Sequence, residues 1–402
     1  MSANSPGSAG APPPPHVRLC VGVTGHREDN PAFAAHRAQV ETVLAQLLDL
    51  IAATVAAEPP SPGAGSIAPT RLYTLLADGV DQMAATSALA RGWELVAPLP
   101  FGLALNAAIN AHPTTAAEAR SLLAGGEDGY AACTVDVRER AERILQLAAQ
   151  ARLFQLADRD AAIAELFLAK LQSPHDARSA STFTAESSLR AALAGRVMIE
   201  QCDFLIAIWD GVTRALVGGT GHTIQVALET GAQVVWIDAN RPEQWRILSG
   251  PEALACITGD CAADAERRTE LHQLILRALR PAAARETQTH DRHRPAPGCE
   301  TLAQEAWPEG SSYIWHLYRR IESLFGSDSF AGRFRNLHQT YESPDAIAAG
   351  SAAGLLAQAR ALPGQQDDYV ASIQTAILRR FAWADGVSAH LSDTYRGGMV
   401  AN

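Results

Sequence analysis

The sequence predicts an α/β protein: a Rossmann-like parallel sheet flanked by helices, with a helical insertion and a helical C-terminal region. Two observations support this fold class. Apolar strand-like runs alternate with helical runs over the first part of the chain, and beyond a linker the pattern is helical. In addition, a glycine-rich loop at 218–221 separates one apolar run from the helix that follows it. This order is typical of parallel strands joined by right-handed helical crossovers.

The first predicted strand covers 17–25 and ends in a Thr-Gly turn. A helix is predicted over 32–57, because Val40, Leu44, Leu47 and Ile51 recur at helical spacing. A second strand at 71–77, a helix at 79–91 and a third strand at 94–100 continue the alternation. Three strands of a parallel sheet are therefore expected within the first hundred residues.

From about 113 to 185 the composition changes to Ala, Leu, Glu and Arg, and this range is predicted to be a helical insertion. A helix at 186–201 then leads into a strand at 203–211, and a further strand is predicted at 233–238. The apolar residues near 253–258 suggest one more strand, followed by a helix at 265–279.

The predicted organisation is a disordered tail at 1–16, a Rossmann-like domain at 17–280, a linker at 281–310 and a helical region at 311–402. The last helix is expected at 367–395, where apolar residues fall on a single face. They are Val370, Ile373, Ile377, Phe381, Ala384, Val387, Leu391 and Tyr395. Its own domain, a partner subunit or a following membrane segment would cover this stripe.

Composition excludes several classes of function. The net charge of −10 argues against a nucleic-acid binder with a broad basic surface. Lys170 is the only lysine among the 33 Lys and Arg residues, so the chain has no Walker A loop. The six cysteines show no zinc spacing, and neither a metal nor a cofactor is expected. A cytoplasmic protein is expected, because no signal peptide and no long uncharged apolar run are found.

The loop at Gly218, Gly219, Thr220 and Gly221 is the most informative motif. Glycines allow backbone N–H groups to approach a ligand closely, and the N-terminus of the next helix favours an anion. A loop between a parallel strand and its crossover helix lies at the carboxyl edge of the sheet. The sequence therefore predicts a phosphate site there.

Four segments together resemble the SLOG superfamily, which includes DprA-like proteins, LOG phosphoribohydrolases and the ligand-binding domains of TRPM channels and Thoeris effectors. The segments are 22–27 (GVTGHR), 78–82 (DGVDQ), 203–211 (DFLIAIWDG) and 218–223 (GGTGHT). The resemblance covers about 17–238. It implies a Rossmann-like fold with a nucleotide or nucleotide derivative at the carboxyl ends of the strands.

The resemblance implies a ligand site assembled from all four segments, with Arg27 pairing a phosphate, Trp209 covering a base and Asp210 accepting a ribose hydroxyl. The expected ligand-binding residues are Thr24, Gly25, His26, Arg27, Asp78, Gly79, Asp81, Gln82, Trp209, Asp210, Gly211, Gly218, Gly219, Thr220, Gly221, His222 and Thr223. Several have an alternative structural role: Arg27 in a turn, Asp81 at a helix N-terminus and Trp209 in the core.

The chain departs from LOG hydrolases at one position. Those enzymes carry a catalytic glutamate where this chain has Gln225, and an amide cannot exchange a proton as a carboxylate does. No catalytic residue is therefore expected, and the first hypothesis is a sensor of a nucleotide-derived signal, coupled to an effector in antiphage defence. The alternatives are a LOG-type phosphoribohydrolase or N-glycosidase and a DprA-like single-strand DNA protein.

Relatives of this pattern join a SLOG domain to SLATT-type transmembrane helices, and residues 381–402 resemble the stretch before such helices. The resemblance therefore implies a homo-oligomer, and it raises the hypothesis of a cytoplasmic domain of a membrane effector that continues beyond residue 402. The expected partner is a nucleotide or nucleotide-derived signal molecule, with no nucleic acid.

Overall fold

The computed structural model describes residues 16–59, 67–125, 130–212, 217–257, 261–280, 307, 320–321, 324–325, 341–361 and 367–401. The chain divides into two compact units. The first, here called the sheet unit, comprises Val17–Pro59 and Ile67–Pro281, and the second, the helical unit, consists mainly of Ala282–Asn402.

Seven strands form a single sheet in the sheet unit. They are β1 Cys20–Gly25, β2 Arg71–Tyr73, β3 Glu94–Leu99, β4 Ala151–Gln155, β5 Phe204–Trp209, β6 Gln233–Asp238 and β7 Arg246–Leu248. The strand order is β4-β3-β2-β1-β5-β6-β7. All neighbours are parallel except β6 and β7, which are antiparallel. The predicted Rossmann-like α/β fold is confirmed.

The helices of the sheet unit are α1 Pro31–Ala57, α2 Val80–Ala90, α3 Leu103–Asn110, α4 Ala116–Ala124, α5 Val135–Ala148, α6 Asp160–Gln172, α7 Ala177–Gln201, α8 Thr220–Glu229 and α9 Asp264–Leu279. Helix α1 begins at Pro31, and the side chain of Asn30 caps it by accepting a hydrogen bond from Phe33 N. These helices cover both faces of the sheet, as a parallel sheet requires.

The two faces of the sheet bury separate apolar cores, because successive strand residues point in opposite directions. On β5, Ile206 and Ile208 face the core under α1, α2 and α9. Leu205 and Ala207 face the core under α7 and α8. Burying one such Leu or Ile side chain stabilises the fold by about 1.5–3 kcal/mol. Both faces of this central strand are therefore buried in apolar cores, and polar side chains such as Asp203 and Asp210 lie just beyond its ends.

The strand order reverses between β1 and β5. The chain runs from β1 outwards through β2, β3 and β4, then returns by α7 to place β5 on the other side of β1. Gly25 at the end of β1 stands opposite Ile208 of β5. The loops after β1 and β5 therefore lead away from each other, and a crevice opens at the carboxyl edge between them.

Two predicted elements are corrected, and the structure adds a strand that was not predicted. The range predicted as a helical insertion contains β4, a half-exposed edge strand whose sequence ARLFQ lacks a buried apolar run. The strand suggested near 253–258 is a 3₁₀ turn at Pro251–Cys256, because Pro251 starts a turn. The described antiparallel strand in this region is the three-residue β7, just before that turn.

Helix α1 is the one described helix whose length and composition would allow it to cross a membrane. Core helices of soluble proteins pass the same test, and α1 buries Val40, Leu44, Leu48 and Ile51 in the core of the sheet unit. This observation is weak support for a membrane anchor, and it identifies no compartment.

In the helical unit, α10 Ala353–Arg360 is followed by α11 Asp367–Ser372, a π-helix at Ile373–Leu378 and α12 Arg379–Ala401. The residues of the predicted apolar stripe do not share one environment: Val370 and Val387 are buried, whereas Ile377 and Phe381 are exposed. The π-helix also interrupts the α-helical spacing on which the stripe was predicted. The predicted linker at 281–310 lies outside the described residues except for Trp307.

Candidate functional site

The loop after β1 is the centre of the candidate site. The backbone N–H of His26 donates to Ile208 O at 3.2 Å, and its carbonyl accepts from Val80 N at 3.2 Å. This places the loop between the end of β5 and the start of α2. His26 points towards the β5 side of the loop, and Arg27 points towards the β2 side.

Two glycines allow this close approach. A Cβ on Gly25 would lie 2.5 Å from the Val80 side chain. Gly79 has φ +89°, and a Cβ there would lie 2.6 Å from the His26 carbonyl oxygen. A side chain at either position would push α2 away from β1. Both glycines were predicted to bind ligand, and the structure shows that each also has a packing role.

On the side of the loop that faces β5, His26 contacts Asp210. The backbone N–H of Asp210 donates to His26 Nε2 at 3.0 Å, and Asp210 Oδ2 lies 3.4 Å from the same nitrogen. Burial lowers the pKa of His26 below its ordinary value, although the charge of Asp210 opposes this. The ring is therefore neutral near pH 7, with Nε2 as acceptor and the proton on Nδ1.

On the other side of the loop, Asp78 collects three donors. Arg27 Nη1 lies 3.2 Å and His112 Nε2 3.1 Å from Asp78 Oδ1, and the backbone N–H of Glu28 donates to Oδ2 at 3.3 Å. Burial alone would raise the pKa of Asp78, but the hydrogen bond from His112 and the charge of Arg27 outweigh it. The pKa therefore lies below the usual range.

Asp81 is buried beneath this loop. Its Oδ2 accepts hydrogen bonds from the backbone N–H groups of Leu75 and Ala77, at 3.2 and 3.4 Å. Burial raises the pKa of Asp81 to about 7, and the hydrogen bonds only partly offset this effect. Gln82 is buried beside it on α2. Asp81 therefore holds the loop from inside.

The glycine loop leads into α8. Gly218 has φ +77°, and a Cβ there would clash with the Ser188 carbonyl of α7. Gly219 is the N-cap of α8 with an extended backbone (φ −80°, ψ 170°), and it offers no side chain to cap the helix. The Thr223 hydroxyl, buried towards α7, donates to Gly219 O at 3.1 Å. Thr220, Gly221 and His222 form the first turn, with its N–H groups at the carboxyl edge.

The remaining predicted residues lie at or near the same edge. Thr24 is half-buried on β1 opposite Ala207. Trp209 is 1% exposed and packs in the core under α7 and α8, where its carbonyl accepts a hydrogen bond from Trp236 Nε1 at 2.8 Å. Gly211 has φ +78° and lies near Trp236. Trp209 thus takes the core position that was its alternative role.

Two clefts open near these residues. A cleft of about 260 Å³ is lined by Trp209, Gly221, Gln225, Pro251, Leu254 and Ala255. A larger cleft of about 670 Å³ lies on the Asp78 side. Its loop residues are Glu28, Asp29, Asp78 and His112. Helix α5 contributes Asp136, Glu139, Arg140 and Arg143. The second volume lies within the range of about 300–1,000 Å³ that is usual for small-molecule sites.

The motifs did not predict His112 or the α5 residues of the larger cleft. His112 follows α3 without any motif, and only the packing of the insertion brings it to Asp78. One signal was available: helix α5 repeats acid-to-arginine pairs four residues apart, from Asp136 to Arg140 and from Glu139 to Arg143. Such pairs are also usual on a solvated helix face, so the sequence alone could not assign them to a cleft.

Position 225 provides an amide and no carboxylate, and its side chain lines the smaller cleft together with Gly221. Gln225 is exposed on α8, and its Nε2 donates to Glu229 Oε1 at 2.7 Å. Glu229 is the last residue of α8, and it stands about 13 Å along the helix from the first turn. Within the described residues, no three His, Cys, Asp or Glu side chains are placed to hold a metal ion.

In comparisons with known proteins, the chain matches no family model, no curated protein and no solved structure. The resemblance to the SLOG superfamily therefore rests on the four sequence segments alone.

Proposed function

We propose that the sheet unit binds a nucleotide-derived ligand that carries a phosphate, and that the protein is a sensor of this ligand. The observation that carries the proposal is the reversal of the strand order between β1 and β5. The His26–Asp210 pair and the start of α8, where Gly219 is the N-cap residue, lie at the carboxyl edge of the sheet there. In open parallel sheets, ligands bind in the crevice at this point.

The first turn of α8 is the proposed phosphate position. Backbone N–H groups at a helix N-terminus have no intrahelical acceptor, and the helix dipole adds a partial positive charge there. Gly219 contributes no side chain to cap these groups. An anion can therefore take the place of the missing cap, without a lysine.

The His26–Asp210 pair suits the rest of such a ligand. The Asp210 side chain is 13% exposed, and its carboxylate can accept hydrogen bonds from ribose hydroxyls. The neutral ring of His26 adds a donor at Nδ1 without adding charge. Arg27, 45% exposed and positioned by Asp78, is available to a second phosphate or a pyrophosphate.

The contacts of α8 favour binding over hydrolysis of a nucleotide. A LOG-type mechanism needs a carboxylate near the ligand, and Gln225 supplies only an amide. Glu229 lies at the opposite end of α8 from the proposed phosphate. The effector, a role in antiphage defence, oligomerisation and a following membrane segment remain predictions of the resemblance.

The proposal is tested by thermal denaturation of the full chain with a panel of nucleoside monophosphates, ADP-ribose, cyclic ADP-ribose isomers and cyclic oligonucleotides. A ligand that binds only the folded state at 100 times its Kd adds about 2.7 kcal/mol of stability. At least one member is expected to raise the melting temperature, with no free base released. Release of base beyond one equivalent would favour the hydrolase instead.

A further inference from the structure

The larger cleft contains a histidine and an aspartate that the proposed sensor function does not use as a pair. We propose that His112 and Asp78 form a general-base pair, and that the chain uses it to hydrolyse a small phosphate ester, such as a phosphorylated sugar or nucleoside. This activity goes beyond the binding of a signal at α8, and it is independent of the glycine loop.

The geometry of the pair fits a general base. His112 Nε2 donates to Asp78 Oδ1 at 3.1 Å, so the neutral ring has its lone pair on Nδ1. The His112 side chain is 41% exposed and lines the cleft, whereas that of Asp78 is only 6% exposed. A buried carboxylate that orients an accessible imidazole is the arrangement by which enzymes fix the tautomer of a catalytic histidine.

The backbone around the pair is strained. Leu76 and His112 are the non-glycine residues with positive φ in the described part of the chain, at +56° and +53°. Leu76 lies two residues before Asp78 in the chain, and His112 is hydrogen-bonded to the Asp78 carboxylate. Both positive-φ residues therefore lie close to Asp78, one in sequence and one by contact. Such conformations cost about 1–3 kcal/mol each and concentrate at functional sites. At His112 the left-handed backbone also ends α3, because His112 directly follows the C-cap residue Ala111.

Polar side chains are buried in the segments that carry the pair. Asn106 and Asn110 lie on α3, which ends just before His112, and Thr74 and Asp81 lie four residues before and three residues after Asp78. The end of α3 is also fixed from α5, because Arg140 Nε donates to Ala111 O at 2.8 Å. The turn that carries His112 is therefore held to α5.

The other charges of the cleft indicate the class of substrate. Arg140 and Arg143 can pair with a phosphate group. The carboxylates of Glu28, Asp29, Asp136 and Glu139 also line the cleft, and carboxylates accept hydrogen bonds from sugar hydroxyls. A ligand with both groups, a small phosphorylated sugar or nucleoside, matches this lining better than a polyanion such as RNA.

The reaction needs water as its only co-reactant. His112 Nδ1 takes one proton from a water molecule as the water oxygen forms a bond to phosphorus. The phosphorus–oxygen bond to the alcohol breaks, and the alkoxide leaves with the electron pair and takes a proton from solvent. His112 then returns its proton to solvent, and the products are the alcohol and inorganic phosphate.

The test measures phosphate release by the full chain from p-nitrophenyl phosphate, ribose 5-phosphate and AMP. The key variant is His112→Asn, because asparagine tolerates the left-handed backbone but cannot act as a base. His175→Asn, on an exposed loop, is the matched control. We expect release by the native chain and by the control, and a 10²–10⁴-fold lower kcat in His112→Asn at an unchanged melting temperature.

Asp78→Asn separates positioning from folding. This variant keeps an oxygen for His112 but loses the charge, so kcat should fall while KM stays within about twofold. No release from any of the three esters by the native chain would overturn the proposal, as would full activity in His112→Asn. Nucleotide binding at α8, measured on His112→Asn, should persist, so failure of this activity is distinguishable from failure of the sensor function.

Discussion

The loop after β2 and the glycine loop before α8 lie at the same edge of the sheet but are held in opposite ways. The β2 loop is fixed by buried side chains, with Asp81 binding its backbone from below and Asp78 collecting three donors. The glycine loop has a left-handed Gly218 against α7, and Gly219 leaves the start of α8 uncapped. One loop positions side chains, and the other exposes backbone N–H groups.

This difference shows that a glycine in a loop can indicate tight packing as well as a ligand site. Gly25, Gly79 and Gly218 all lie in predicted ligand loops, yet each is required because a Cβ would collide with a neighbouring element. Gly219, the N-cap of α8, has an extended backbone that any residue can adopt. The proposed phosphate site assigns the place of its missing side chain to the ligand.

The largest expected effect is at Gly79. Gly79→Ala should lower the free energy of unfolding by about 3–5 kcal/mol, because it combines a positive φ with a clash against the His26 carbonyl. Gly231→Ala is the matched control, since Gly231 has φ +83° and open space around it, and should cost about 1 kcal/mol. Urea denaturation of both variants gives the comparison. Equal losses would mean that α2 does not pack tightly against the β1 loop.

A pH dependence should come from Asp81. Its pKa is raised from 3.8 to about 7 in the folded chain, so the folded state binds this proton more tightly than the unfolded chain does. The contribution of Asp81 to stability is therefore full below about pH 4 and declines as the pH rises to about 7, by up to about 4 kcal/mol.

Asp81→Asn should remove this slope, because the amide oxygen still accepts from the loop but does not titrate. The measurement is the free energy of unfolding of the native chain and of Asp81→Asn between pH 4 and 8. The difference between them isolates Asp81 from His26, whose lowered pKa acts in the opposite direction. Parallel curves for the two proteins would contradict a buried, protonated Asp81.

The smallest effect concerns Gln225. Gln225→Glu replaces the hydrogen bond to Glu229 with a repulsion four residues apart on a helix, and it should cost about 0.5 kcal/mol. Although it restores the acid found in LOG hydrolases, no release of base from AMP is expected. Gln225→Ala, which loses the hydrogen bond without adding charge, is the control. Base release by Gln225→Glu alone would show that the site at α8 can hydrolyse AMP once a carboxylate is present at position 225.

The sequence was sufficient for the elements with strong apolar runs. Strands β1, β3, β5 and β6 and helix α1 are buried, and their residues repeat at strand or helical spacing. Strands β4 and β7 were not predicted, because each is short and lies at a sheet edge, where half-exposed residues weaken the pattern.

The candidate site was predictable only where a motif marks the backbone. Sequence motifs mark the glycine loops and the residues after β1 and β5, and these motifs predict both His26 and Asp210 as site residues. His112 has no such mark, and its bond to Asp78 depends on how the insertion packs against the sheet. The π-helix at 373–378 was equally hidden, since the apolar spacing there is compatible with an ordinary α-helix.

The central claim, that a phosphate-bearing ligand binds at the start of α8, is tested most directly by calorimetry on Gly219→Asp. Aspartate is a favoured N-cap residue, so this variant should fold at least as stably as the native chain while its carboxylate occupies the phosphate position. Gly231→Asp adds the same charge just beyond the other end of α8 and is the control. The account predicts that the ligand found by thermal denaturation binds the native chain and Gly231→Asp but not Gly219→Asp; equal affinity for all three would contradict it.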